Sequence, residues 1–291
     1  MSWETFAKSL LAVILGIIQG CLEWIPVSSE AFIMIYLITI VKLDPSTALA
    51  VSLLLHISTM FTVLLFFRGE FKNVLKTLVN MFNRNKVVNA RDKSIFNILL
   101  TSFVGSAISG GAIFTLYINI LNIVKESFLE FTGFIVLALI GIMMIITGLI
   151  MKKPSVGFKQ LEEVSCVDGL LGGLVQGLAV FPGVSRSGVT ITFFLYRKLK
   201  KDDALRCSFL IYIPAVILST SYYLLLGDVT IALKNIGTSF FIIAFLSTFV
   251  VSLITMKSFI YAAKRLSFSN FLIFLGILIF ALNVFALISM G

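Results

Sequence analysis

Charge is scarce in this sequence. Asp, Glu, Lys and Arg make up 13% of its 291 residues, about half the share found in a typical soluble domain. Apolar residues reach 59%, Phe alone occurs 28 times, and the mean hydropathy is +1.07. These figures exclude a soluble enzyme of ordinary composition and a disordered chain. Cysteine is equally sparse: Cys21, Cys166 and Cys207 lie in or beside apolar runs, show no metal-ligand spacing and cannot all pair with one another. A disulfide scaffold is therefore excluded, and all three are expected to be small core residues. A formal net charge of +9 would suggest nucleic acid in a soluble protein. Here the basic residues sit between apolar runs, so the partner is the bilayer and no nucleic acid is expected.

What is present is a series of apolar runs. Residues 45–67, 94–124, 131–151, 207–227, 236–256 and 266–291 are each long enough to cross a hydrocarbon core, which takes about 20 residues. Residues 9–22 and 31–41 are too short, and 169–185 is interrupted by Gly172, Gly173, Gly177, Pro182 and Gly183. These three read as re-entrant segments. The first could pass for the apolar part of a signal peptide, but it lacks a basic flank and runs into Glu23-Trp24-Ile25-Pro26, not a small-residue cleavage site. Lys and Arg number 18 in the four segments 68–93, 152–168, 197–206 and 257–265, against four (Lys8, Lys42, Lys125 and Lys234) on the other side, with Arg186 left inside an apolar context. The positive-inside rule then places the four basic loops in the cytoplasm and both termini outside a plasma membrane.

An offset of 157 aligns Gly16-Ile17-Ile18-Gln19-Gly20 with Gly173-Leu174-Val175-Gln176-Gly177, and Val27-Ser28 with Val184-Ser185. Each copy is an apolar helix stopped near a proline, Pro26 or Pro182, then a Ser-rich turn and a short second helix. Three spans follow each copy. An odd number of crossings makes the second copy enter from the opposite face, an inverted-topology repeat. The expected fold is thus an all-α integral membrane protein, one domain over 1–291 with halves 1–151 and 152–291, six transmembrane helices and two re-entrant helical hairpins.

Backbone at the hairpin tips cannot face lipid, so the tips are expected to meet inside the bundle. Two helix starts there form an anion site. The polar residues collected with them are Gln19, Glu23, Ser28, Ser29 and Glu30 from the first hairpin, and Gln176, Ser185, Arg186, Ser187, Thr190 and Thr192 from the second. Arg186 at membrane depth needs a partner, and its planar fork suits phosphate; the structural alternative is an ion pair with Glu23. Glu23, one turn after Gln19, can serve as a base or as a ligand to a divalent ion. Ser28 and Ser29 are cap types, and Ser29 lies beside both an anion site and a carboxylate, as a nucleophile must. Gly20, Gly177 and Gly183 permit close backbone approach. His56, the single histidine, is mid-span, either hydrogen-bonded in the bundle or shaping the cavity and moving a proton. The aromatic pairs Phe66-Phe67, Phe193-Phe194 and Tyr222-Tyr223 read as lipid-facing, interfacial or core residues, the alternative being that some of them line an isoprenoid groove.

Gln19-Gly20-Cys21-Leu22-Glu23-Trp24-Ile25-Pro26-Val27-Ser28-Ser29 resembles the first signature of the undecaprenyl-diphosphate phosphatase family, known also from bacitracin resistance. Pro182-Gly183-Val184-Ser185-Arg186-Ser187-Gly188-Val189-Thr190 resembles the second. The resemblance implies a cell-envelope membrane hydrolase that removes the terminal phosphate of a polyprenyl diphosphate, leaving the monophosphate lipid carrier, stimulated by a divalent cation such as Mg or Ca. It implies Glu23 as principal catalytic acid residue, Ser29 as nucleophile and Arg186 as phosphate clamp; Glu23 is also the expected metal ligand. Gln19, Ser28, Ser185, Ser187, Thr190 and His56 are the expected substrate contacts. Two positions depart from the pattern: Gln19 stands where many members carry Glu, and Phe32 where the family has histidine. Glu30, next to Ser29, is the candidate substitute in proton transfer. The alternative function is a polyprenyl-phosphate transporter or flippase built on the same repeat without chemistry.

Overall fold

The computed structural model describes residues 3–81, 89–127, 131–152, 157–226, 229–265 and 268–288. In chain order the helices are α1 (Trp3–Leu22), α2 (Ser29–Thr39), α3 (Pro45–Phe66), α4 (Arg68–Met81), α5 (Ala90–Ser127), α6 (Thr132–Ile150), α7 (Cys166–Gly177), α8 (Arg186–Tyr196), α9 (Lys201–Leu226), α10 (Val229–Ile236), α11 (Thr238–Arg265) and α12 (Ser269–Ile288). Among the described residues there is no β-strand, only one isolated bridge between Lys159 and Leu199. Six of the helices, α3, α5, α6, α9, α11 and α12, are long and apolar enough to cross a membrane. The chain is an all-α, multi-pass membrane protein.

Local signals set the helix ends. At α3, Asp44 accepts from the Ser46 and Thr47 N–H groups while Pro45 takes the first position, where its missing donor costs nothing. At α7, Ser165 and Asp168 form a reciprocal capping box, and Asp168 also pairs with Arg197 beyond the end of α8. Two features differ from the sequence reading. The apolar run 9–22 becomes the 20-residue α1, because Lys8 and other good helix formers before Ser9 prolong the helix past the apolar limit. The basic segment after α3 and the segment after α9 carry two further helices, α4 and α10, both amphipathic. Cys207 is buried and Cys21 half-buried, but Cys166 is exposed at the start of α7, so it is not a core residue.

The helices pair closely: α1 lies along α11 and α7 along α5, while α6 packs on α12 and α3 on α9. In lipid, helices gain little from apolar burial against one another and associate through close contact of small residues. A Cβ added to Gly20 would stand 2.9 Å from the Ser252 nitrogen, and one added to Gly141 would stand 2.8 Å from the Gly276 carbonyl oxygen. The outward faces of α5, α11 and α12 expose Ile108, Ile254, Phe285 and similar side chains, which is the pattern expected of surfaces solvated by acyl chains. The short helices α2 and α8 are inside this frame, each largely buried.

Candidate active site between two helix starts

The first tip follows α1. Pro26 cannot continue the helix, and the chain turns through Ile25 and Val27 to Ser28, which precedes α2 in the left-handed region at φ 64°. A non-glycine residue there costs about 1 kcal/mol or more. The Ser28 carbonyl accepts from the Ala31 and Phe32 N–H groups, but its buried hydroxyl has no partner among the described residues. The turn thus holds an unsatisfied hydroxyl at the mouth of α2. Glu23, 4% exposed, lies just before this turn. Its Oε2 accepts from the Ser29 hydroxyl at 2.7 Å and from Gln19 Nε2 at 3.1 Å.

The second tip follows α7 and a 3-10 turn at Leu178–Val180. Gly183 has φ 99°, and a Cβ there would stand 2.5 Å from the Ile140 carbonyl oxygen, so both conformation and space require glycine. Ser185 is an ordinary N-cap, its hydroxyl accepting from the Gly188 N–H at 3.2 Å. Arg186 follows as the first residue of α8. Its Nη2 donates to Glu23 Oε1 at 2.6 Å and its Nη1 to the Ser208 carbonyl at 3.3 Å. The guanidinium lies 4.0 Å from the centre of the Tyr212 ring, a cation–π contact that costs no hydrogen bond. Nε is buried without a partner among the described residues. Ser187 joins the two tips directly, donating to the Ile25 carbonyl at 3.4 Å.

The ion pair foreseen as the structural reading of Arg186 is present, but it is part of a larger cluster. His56, on α3, places Nδ1 2.7 Å from the Ser52 carbonyl and Nε2 3.4 Å from Glu23 Oε2. A carbonyl can only accept, so Nδ1 carries the proton and Nε2 is the nitrogen that faces the carboxylate. Glu30 and Ser28 line the same cavity, of about 190 Å³, together with Ser29, Ser185, Ser187 and Arg186. Glu30 Oε1 has no partner among the described residues, and the Ser29 hydroxyl goes to Glu23, not to Glu30. Phe32 does not line the cavity.

Several expected contacts lie behind the cavity wall. Gln19 supports Glu23 from within the bundle. Thr190 donates to the Arg186 carbonyl at 2.8 Å and meets the Ser208 hydroxyl at 2.6 Å, fixing α8 on α9. Thr192 is buried away from the cavity. Gln176 lines the cavity but turns its amide to Ser106 and to the Ile211 carbonyl, each at 3.0 Å. The contributions of Tyr212 and Ser208 were not foreseen from the sequence. Nothing in hydropathy marks a single Tyr or Ser within a span. The arrangement as a whole offers a hydroxyl held by a carboxylate, a cation with one unpartnered nitrogen and the N-terminal ends of two helices. Such a set can bind an oxyanion and activate a hydroxyl against it.

A family model described as bacitracin resistance protein BacA matches residues 12–281. The chain is 34% identical over 270 residues to an undecaprenyl-diphosphatase of Methanococcoides burtonii, covering 92% of this chain and 95% of that one. An undecaprenyl-diphosphatase of Methanothrix thermoacetophila is 33% identical over 275 residues, 94% of this chain and 97% of its own. One of Saccharolobus solfataricus is 27% identical over 287 residues, 97% and 98% of the two chains.

Proposed function

The chain belongs to the bacitracin resistance protein family, and from that membership and the geometry of the paired helix starts we propose that it hydrolyses a polyprenyl diphosphate of the undecaprenyl type, releasing the terminal phosphate. The observation that carries this reading is the row Arg186, Glu23, Ser29, in which one carboxylate receives the cation on one oxygen and the serine hydroxyl on the other. The transporter alternative has no comparable observation in its favour.

In this mechanism the diphosphate, with about two to three negative charges, sits against Arg186 and the starts of α2 and α8, each worth about half a positive charge. The Ser29 oxygen attacks the terminal phosphorus as its proton passes to Glu23. The bond from phosphorus to the bridging oxygen breaks, and the polyprenyl monophosphate departs with the proton from Glu23. Glu23 then takes a proton from the water that attacks the phosphoserine and returns it to Ser29 as inorganic phosphate leaves. Ser28, Ser185 and Ser187 border the phosphate, while Gln19 and Thr190 hold Glu23 and Arg186 in place. Two groups can supply the proton transfer that Phe32 cannot: His56, through Glu23, and Glu30, which shares the cavity.

A magnesium or calcium ion would be held by a carboxylate together with the diphosphate's own oxygens, as hard cations in phosphate sites usually are. Glu23 already receives Ser29, Gln19 and Arg186, so the unpartnered Oε1 of Glu30 is the freer oxygen. When bound, such an ion would neutralise charge on the diphosphate that a single Arg leaves uncovered.

The same reading treats the fold as an inverted repeat with two re-entrant hairpins, α1–α2 and α7–α8, in the halves 1–151 and 152–291. In its support, α2 and α8 are both 11 residues long and begin 157 positions apart, and the pairing of α1 with α11 mirrors that of α7 with α5. We read the bias in Lys and Arg as putting the termini outside the cell. Lys234 should then react with an impermeant amine reagent on intact cells while Lys76 and Lys200 stay protected. The decisive experiment is phosphate release from a polyprenyl diphosphate by the purified protein. Binding of the lipid with no phosphate released at any cation concentration would overturn the enzymatic reading.

A further inference from the structure

The cavity does not end at the phosphate-binding groups. It continues between α5 and α9, past Gly110, Gly111 and Phe114 on one side and Ala215, Ser219 and Tyr222 on the other. Their spacing places each trio on one face of its helix. The polar atoms along this stretch are engaged locally: the Ser219 hydroxyl donates to the Val216 carbonyl at 3.2 Å, and the Tyr222 hydroxyl and Thr115 Oγ1 lie 3.0 Å apart. What faces the cavity is therefore apolar. At the far end the Phe114 and Tyr222 rings meet edge to face, with centroids 4.7 Å apart, and connect the two helices. Two positions further along, and so on the opposite faces of their helices, Leu116 on α5 and Leu224 on α9 are exposed; the helices that wall the strip also border the acyl-chain surface. A Cβ on Gly110 would lie 3.6 Å from Val180, whereas one on Gly111 would meet nothing within 4 Å.

We infer that this strip is the subsite for the first isoprene units of the substrate, that the Phe114–Tyr222 contact is the closure the chain displaces, and that Gly111 limits which chains pass. The inference rests on the phosphatase reading above and deepens it. One end of the cavity offers a guanidinium and two helix starts, and the other offers hydrocarbon and no charged side chain. A molecule with a diphosphate head and a hydrocarbon tail satisfies both ends. A free phosphate or a nucleotide would leave the apolar end empty or force polar groups against it.

The test is Gly111→Trp, which fills the strip from a position where an added side chain has room. Turnover is compared on a long-chain polyprenyl diphosphate and on a diphosphate bearing a single isoprene unit. The expected result is a drop of at least about tenfold in the long-to-short ratio of kcat/KM. Gly69→Trp serves as control, since a Cβ at Gly69 on α4 also meets nothing within 4 Å and lies outside the cavity; it should leave the ratio unchanged. An unchanged ratio in Gly111→Trp, or an equal loss on both substrates, overturns the inference. If the wild-type protein hydrolyses neither substrate, a polyprenyl monophosphate with a photoreactive group in its first isoprene units decides the matter. Crosslinks to α5 and α9 that disappear in Gly111→Trp uphold the subsite even then, and crosslinks elsewhere remove it.

Discussion

The helix that starts at Ser29 and the helix that starts at Arg186 occupy equivalent places 157 residues apart, have the same length and aim their N-terminal ends at one cavity. Their side chains are not equivalent. The first tip supplies the carboxylate and the hydroxyl, and the second supplies the cation. Glu23 corresponds to Val180, so the second tip has no acid with which to activate a hydroxyl. Ser29 corresponds to Arg186, so the first has no cation with which to hold a phosphate. The preceding serines divide in the same manner. Ser185 has an ordinary extended backbone and caps its helix, whereas Ser28 is held at φ 64° with its hydroxyl unspent. Gln19 reaches forward four residues to Glu23, while Gln176 reaches sideways to α5 and α9. In the proposed mechanism one backbone device, used twice, makes the anion site, and divergence of side chains on it makes a reaction centre. Neither tip alone contains both halves of the chemistry.

This division of labour is broken most severely by removing its central pair. Glu23→Gln should reduce turnover by about 10²–10⁴-fold, the range for loss of a general base. Arg186→Lys should cost about hundredfold, because an ammonium cannot bond Glu23 and the Ser208 carbonyl while lying flat on Tyr212. Phosphate release at saturating substrate measures both. Near-normal turnover in Arg186→Lys would reduce the ion pair to a clasp between the tips.

Groups that sharpen the first tip without being central to it should show smaller effects. Glu30→Gln and His56→Gln are each expected to lower kcat about tenfold, since both amides lose proton transfer, and Glu30→Gln should in addition weaken the response to a divalent cation. Full activity of Glu30→Gln would leave Glu30 as a carboxylate favoured by the start of α2, and the proton work would fall to Glu23 and His56.

The two serines give the smallest and most selective difference. Ser185→Ala should lower stability by about 1 kcal/mol through loss of the α8 cap, with detergent-solubilised thermal unfolding as the measurement. Ser28→Ala should leave stability almost unchanged, because its hydroxyl bonds no protein group, and should instead raise KM. If both substitutions acted alike on stability, the distinction drawn from their backbone angles would be lost.

The six spans and the neighbourhood of the tips were legible in the sequence because each is a local signal. A run of apolar residues reports its own burial, Pro26 and Pro182 report where a helix must stop, and a lone Arg in an apolar context reports that it needs a partner. The same reasoning offers the pairing of Arg186 with Glu23 as the structural alternative to a phosphate clamp and puts Ser29 beside a carboxylate, which is Glu23. The length of α1 did not, because charged residues that end an apolar run do not end a helix. The helices α4 and α10 were missed because amphipathic segments lying outside the spans carry no strong hydropathy signal.

By itself the sequence determined which segments enter the membrane and which residue types gather at the tips, since both depend on short-range pattern and on the cost of charge in lipid. Only the tertiary structure decided that His56 turns Nε2 to Glu23, that Tyr212 lies against Arg186, that Thr190 braces α8 rather than touching the cavity, and that Gly111 stands over open space. Each of these depends on which faces of distant helices meet. In lipid that choice comes from backbone-to-backbone fit at Gly20, Gly141 and Gly276, a property of two helices together that neither sequence segment carries alone.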